Sequence, residues 1–218
     1  EFQAIEFQDI KNNYSESVHS QLENTIEICK EKKDGIVIIH GPVGTGKTYY
    51  IRSLLSEIHN EREALICGSP TQFLIEPALL QAAIHSVKNP IIVLEDVGDI
   101  FHTDAKTRYT NEFSNLLNFT SGLLSLVHNT VFIVTFNYDL DDIDPAITRH
   151  GRCLANVHIP KLKPEEVIEL LQSHDVEDIP PLPNKMMSLS EVYAIIDPTI
   201  ETITTEQGIV KTNPLLLR

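Results

Sequence analysis

The run GIVIIHGPVGTGKTYY, residues 35–50, constrains this chain more than any other stretch. Its first part, GIVIIHG, is short and continuously apolar, which suits a parallel strand buried on both faces. Directly after it, Gly41, Gly46, Lys47 and Thr48 fit the spacing GxxxxGK[ST] of a phosphate-binding loop. In such a loop the glycines let the backbone turn so that its amides face phosphate at a helix amino terminus. Lysine then reaches the β- and γ-phosphates, and the threonine hydroxyl holds Mg²⁺. A Gly-rich turn can match this spacing by chance. Here the motif follows an apolar strand and opens a helix, the context its mechanism requires.

The strand–helix alternation continues beyond that run. Val18, Leu22, Ile26 and Cys29 are spaced as one face of a helix over 15–33, with Ser15 as its N-cap. A helix is predicted at 46–59, a strand at 64–67, a helix at 76–88 and a strand at 91–94. A long helix near 109–126 follows, then strands at 131–135 and 155–159. Alternating helices and buried strands predict an α/β fold, a five-stranded parallel sheet with helices on both faces. Ligands bind such sheets at the carboxyl ends of the strands. From 161 the texture changes to a helix opened by Pro164, then a proline-rich connector with Pro180, Pro181 and Pro183. Ser188 to Glu191 forms a capping-box pattern opening a second helix. The tail after 200 reads as a hairpin or a loose end.

Composition narrows the function classes. The 218 residues suit one medium domain, or one with a small appendage, and 42% hydrophobic content supports a sizeable core. A net charge of −14 repels a polyanion, which disfavours general nucleic-acid binding. Cys29, Cys67 and Cys153 are far apart and form no CxxC, so they read as packing residues in a reducing, cytoplasmic compartment. No apolar run approaches the ~20 residues that span a bilayer. There is no signal-peptide pattern and no initiator Met, so the chain reads as a fragment or processed product, with Glu1-Phe2 as a cloning remnant.

Two further stretches carry chemistry. IIVLED at 91–96 is a buried strand ending in Glu95 and Asp96, placed as P-loop ATPases place the acids that serve the metal and polarise water. VFIVTFNYDLDDIDPAITRHGR at 131–152 runs from a buried strand to Asn137 at its tip, where an amide beside the γ-phosphate orients water. Asp144-Pro145 then starts a helix, with Arg149 and Arg152 on one face or at its end, able to reach a neighbouring chain's triphosphate as bidentate donors. Taken alone, exposed arginines are more often surface ion-pair formers.

Together these stretches resemble the AAA family of ATPases over about residues 5–172. GPVGTGKT is similar to its Walker A, VLED to its Walker B, TFN to its sensor 1, and DPAITRHGR to its second region of homology. The resemblance implies a P-loop NTPase αβα sandwich at 1–160 and a reduced helical lid with the tail at 161–218. It implies nucleotide binding by Gly41, Pro42, Val43, Gly44, Thr45, Gly46, Lys47, Thr48 and Tyr49. IEFQDI at 5–10 is similar to the family's F-x-D-I segment, which makes Asp9 and Ile10 adenine-pocket candidates. Thr48 and Glu95 hold Mg²⁺, directly or through water, while Asp96 and Asn137 position water. Arg149 and Arg152 act as arginine fingers across a subunit interface. ATP and Mg²⁺ are the implied cofactors. The implied assembly is a homo-oligomer, a hexameric ring that remodels a protein partner the sequence does not name.

The Glu-Asp order and the helix FSNLLNFTSGLLS at 113–125 look closest to the branch with the mitochondrial Rieske-protein translocases, shared by some bacterial and phage AAA proteins. Walker B usually reads Asp-Glu. Aspartate is one methylene shorter than glutamate, so a slow ATPase, or a nucleotide-gated scaffold, stays as an alternative. A DNA-transaction ATPase is disfavoured by charge. In unfolding members an aromatic-apolar-Gly trio forms a pore loop. Here Phe73 is followed by Leu74 and Ile75 without glycine, and packing is favoured over a pore role. The usual second sensor is not identifiable, although Ser190 lies near its place.

Overall fold

In the computed structural model the described residues are 13–32, 34–103, 109–121, 129–176, 179, 182 and 184–198, with the backbone of 203–205 and 208–210. Five parallel strands form one sheet: β1 (Gly35–His40), β2 (Ala64–Cys67), β3 (Ile91–Leu94), β4 (Val131–Phe136) and β5 (Cys153–His158), in the order β2-β3-β4-β1-β5. Gly35 and Ile91 both pair with Val131, so β1, β3 and β4 start level. Their carboxyl ends therefore open onto one edge, with β4 between the other two.

Alternation along each strand sorts the core. Val37, Ile39, Ile91, Val93, Val131 and Ile133 face one side. There they meet α1 (Glu16–Glu31), through Val18, Leu22, Ile26 and Cys29, and α2 (Lys47–Ile58), through Tyr50, Ile51, Leu54, Leu55 and Ile58. Ile36, Ile38, Ile92, Leu94, Phe132, Val134 and Phe136 face the other side. That side is covered by α3 (Pro70–Ile75), α4 (Pro77–Ser86), the single turn α5 (Gly98–Phe101), α6 (Thr110–Ser121) and the short α7 (Pro145–Thr148). The three central strands β1, β3 and β4 are buried on both faces and need no polar alternation, whereas β2 and β5, expected to be buried, lie at the sheet edges and are half-exposed.

Most elements fall where periodicity puts them, with instructive exceptions. The helix expected over 76–88 is α4, preceded by α3, which spacing does not predict. Pro77 at the first position of α4 forces Glu76 into extended backbone (φ −111°, ψ 94°), and that break ends α3. Phe73 lies in α3, half-buried against the second core face. The helix expected to 126 is described to Ser121 only, and residues 122–128 lie outside the described residues. The last strand begins two residues earlier than expected, at Cys153.

After the sheet, α8 (Pro164–Ser173) and α9 (Leu189–Ile196) build a separate apolar cluster from Leu162, Val167, Leu170, Leu171, Met187, Leu189 and Val192. Reciprocal bonds between Leu162 and Met187 (2.8 and 2.9 Å) close this unit. The capping box forms as the sequence predicts: Ser188 Oγ accepts from the Glu191 amide and Glu191 accepts from the Ser188 amide at 2.7 Å. Residues 203–205 and 208–210 pair antiparallel. Among the described residues, no helix is long and apolar enough to cross a membrane.

The opposite end of the sheet is tied by one cation. Arg62, 8% exposed, donates to the carbonyls of Cys29 (2.6 Å), Asn129 (3.1 Å), Asn89 (3.5 Å) and Lys32. Asn89 and Asn129 both adopt left-handed backbone (φ 47° and 49°) just before β3 and β4. The guanidinium fork thus joins the end of α1 to two strand entrances, and its charge suits the carbonyl end of a helix. We predict that Arg62→Leu costs roughly 3 kcal/mol in urea unfolding, because the buried Cys29 carbonyl and three partly buried ones lose a charged donor at once. Arg62→Lys should recover less than half of that loss, since an ammonium cannot span the set.

Candidate nucleotide site

The end of β1 determines the shape of the loop. Gly41 has φ 142° and lies so close to the chain leaving β5 that an added Cβ would sit 2.1 Å from the Ile159 carbonyl oxygen. The Ile159 amide donates to His40 O at 2.8 Å, fixing that approach. Gly44 (φ 78°) and Gly46 (φ 95°) supply two left-handed turns, and Gly46 is the N-cap of α2. Thr45 Oγ1 donates to Pro42 O (2.9 Å), and Tyr14 Oη donates to Gly46 O (2.7 Å). The result is a backbone cradle at a helix amino terminus, the geometry that binds phosphate.

Lys47 begins α2 and donates to the carbonyls of Gly41 and Pro42, both at 2.9 Å. Burial pulls its pKa below the ordinary lysine value, and the Asp96 and Glu95 carboxylates oppose that shift. Thr48 Oγ1 donates to Glu95 Oε2 at 2.8 Å, joining α2 to the end of β3. One residue on, Asp96 adopts left-handed backbone (φ 57°), which costs a non-glycine residue about 1 kcal/mol. Its amide donates to Thr135 Oγ1 (2.9 Å), and its Oδ1 accepts from Asn137 Nδ2 (2.8 Å). The two acids therefore point to different partners.

These groups surround one cavity of about 740 Å³, lined by Val43, Gly44, Gly46, Lys47, Thr48 and Tyr49 of the loop and α2. Glu95, Asp96, Thr135 and Asn137 line it from the strand ends, and Leu189, Ser190 and Tyr193 from α9. The Ser190 amide donates to Gly44 O at 3.0 Å, so α9 rests directly on the loop. Tyr193 Oη donates to Asn13 Oδ1 (2.8 Å), tying α9 to the segment before α1. The volume suits a nucleotide-sized ligand. Hydroxyl and carboxylate oxygens at Thr48 and Glu95 are the hard donors Mg²⁺ prefers. Among the described residues no three His, Cys, Asp or Glu side chains group as metal ligands.

Other predicted residues do not line this cavity or lie outside the described residues. Gly41, Pro42 and Thr45 shape the loop from behind and do not line the cavity. Arg149 is exposed and Arg152 half-buried, both just past the end of α7, the second of the two placements the sequence allows, and neither lines its own chain's cavity. Arg152 donates to the Ala146 carbonyl. Asp9 and Ile10 lie outside the described residues. Tyr14, Thr135, Leu189 and Tyr193 are site residues that sequence reasoning misses. The capping box at Ser188 predicts the helix, and Ser190, near the place of the usual second sensor, does line the cavity, while nothing local indicates that the helix rests on Gly44.

Residues 37–161 match the family model described as "ATPase family associated with various cellular activities (AAA)", over half of the chain. An Arabidopsis thaliana protein named as an AAA-ATPase is 33% identical over 138 residues, an alignment covering 58% of this chain. The chain spans 30% of that relative's length. The match is to the family and does not select a branch within it.

The histidine preceding the loop yields a pH prediction. His40 is 6% exposed, stacked on Phe136 (5.6 Å between rings) and 4.9 Å from the His158 ring. Burial, then His158, lowers its pKa. The unfolded chain therefore binds this proton more readily, and stability falls as pH drops below the ordinary histidine value of about 6.5. Urea melts should show that decline, and His40→Leu should flatten it.

Proposed function

The chain belongs to the AAA family, and we propose that it hydrolyses ATP with Mg²⁺, assembles into a hexameric ring and couples turnover to remodelling of a protein partner. The observation that carries the reading is the division of labour at the end of β3. Glu95 is bonded to the loop hydroxyl of Thr48, while Asp96 is bonded to Asn137. Glu95 and Thr48 would hold Mg²⁺, which supplies charge neutralisation across the β- and γ-phosphates when bound. Lys47 and the loop amides orient the triphosphate. Asn137 donates to one oxygen of Asp96 and fixes that carboxylate, which takes the proton of the attacking water. Attack of the water oxygen on the γ-phosphorus breaks the bond to the bridging oxygen and gives ADP and phosphate.

The arginines suggest why a ring is needed. Arg149 and Arg152 follow α7 outside their own chain's cavity. As residues of the family's second region of homology, they serve a neighbouring copy as bidentate donors to transition-state charge. The core is proposed at 1–160 and the lid at 161–218, with α9 closing over the nucleotide. A cytoplasmic setting and an unnamed protein partner complete the reading. Glu-Asp order favours one rival, a scaffold that binds ATP and turns over little. The net charge of −14 weighs against a DNA-driven enzyme.

Specific ATPase activity should rise with protein concentration and then level off. Arg152→Ala should lower the plateau by roughly 10³-fold, the scale of a lost arginine finger, while nucleotide still binds. Flat, near-zero turnover with nucleotide bound would instead support the scaffold. DNA-stimulated turnover would support the third reading.

A further inference from the structure

Asp96 occupies a backbone conformation that an L-residue rarely adopts, and something must hold it there. The two amides that flank its Cα both end on a single residue. The Asp96 amide donates to Thr135 Oγ1 at 2.9 Å, and the Val97 amide donates to the Thr135 carbonyl at 2.9 Å. Thr135 is 3% exposed, lies on β4 one residue past the last β3–β4 pair, Leu94 with Val134, and lines the cavity. Ladder pairing has therefore stopped, and this threonine replaces it with a side-chain acceptor. The turn matters because Asp96 lacks the methylene a glutamate would have. A left-handed residue swings its side chain off the direction a continuing strand would give, and here it reaches Asn137, two residues beyond Thr135 on the same segment.

We infer that Thr135 is a positioning residue for ATP hydrolysis, holding the turn at Asp96 so that the shorter carboxylate meets Asn137 and the attacking water. The inference rests on the proposed role of Asp96. Valine matches threonine in shape and suits a strand, so Thr135→Val removes the acceptor with little change in packing. Thr135→Ser keeps the acceptor and loses only a methyl.

The test measures kcat and KM for ATP in the whole chain, with affinity read from a fluorescent N-methylanthraniloyl ATP and folding from the melting temperature. Asp96→Asn serves as the reference. Thr135→Val should lose roughly ten- to a hundredfold in kcat, as for a catalytic group displaced by an ångström or less. Its nucleotide affinity should change less than about threefold, and Thr135→Ser should recover most of the kcat. Thr135→Ala reads the same way if the valine variant does not fold. Wild-type kcat in Thr135→Val, with Asp96→Asn inactive, overturns this inference and leaves the role of Asp96 standing. Parallel loss of kcat and affinity in all three Thr135 variants also overturns it, because the threonine would then be structural only. Equal turnover by wild type and Asp96→Asn, or none by either, removes the proposed role of Asp96 and this inference with it.

Discussion

One hydrogen bond, from Thr48 Oγ1 to Glu95 Oε2, joins the two halves of the site, and its 2.8 Å length depends on the whole sheet. Thr48 stands in the first turn of α2, after a loop that starts at the end of β1. Glu95 stands at the end of β3. The two strands are not neighbours, because β4 lies between them. Their carboxyl ends meet only because β1, β3 and β4 run parallel and start level. Slipping β3 by one residue would reverse its buried faces and withdraw Glu95 from the loop. The apolar core and the site are therefore specified by the same register.

Charge is concentrated inside this frame. Lys47 is partly buried, and burial works against its charge while Asp96 and Glu95 support it. A low-dielectric cleft strengthens each of these interactions relative to water. The same balance suits a ligand that brings negative phosphate and a divalent cation together. The chain as a whole carries a net −14, a balance that repels polyanions. At the far end of the sheet Arg62 performs the opposite task, gathering carbonyls rather than anions.

The fold was legible because short apolar runs leave a plain signal, both in the buried central strand IIVL at 91–94 and in the half-exposed edge strand ALIC at 64–67, and both are bounded in the sequence as they are in the structure. The loop was legible because its glycines are required by left-handed backbone and by the approach of Ile159. What escaped notice depends on contacts between distant segments. Tyr193 lines the cavity only because α9 docks on Gly44. The turn at Asp96 needs Thr135, 39 residues away. Arg62 carries no local signal, since its partners lie at the end of α1 and before β3 and β4. Periodicity reports burial and element type, and it carries no information about which loops meet.

The assignment of metal to Glu95 and water to Asp96 is the centre of this account, because the order of the acids reverses the familiar one. It is tested most directly by calorimetric titration of ATP, with and without Mg²⁺, into wild type, Glu95→Gln and Asp96→Asn. The account predicts that Mg²⁺ tightens ATP binding to wild type and to Asp96→Asn, and no longer does so in Glu95→Gln. Mg²⁺ dependence retained in Glu95→Gln and lost in Asp96→Asn would contradict it, placing the metal on Asp96.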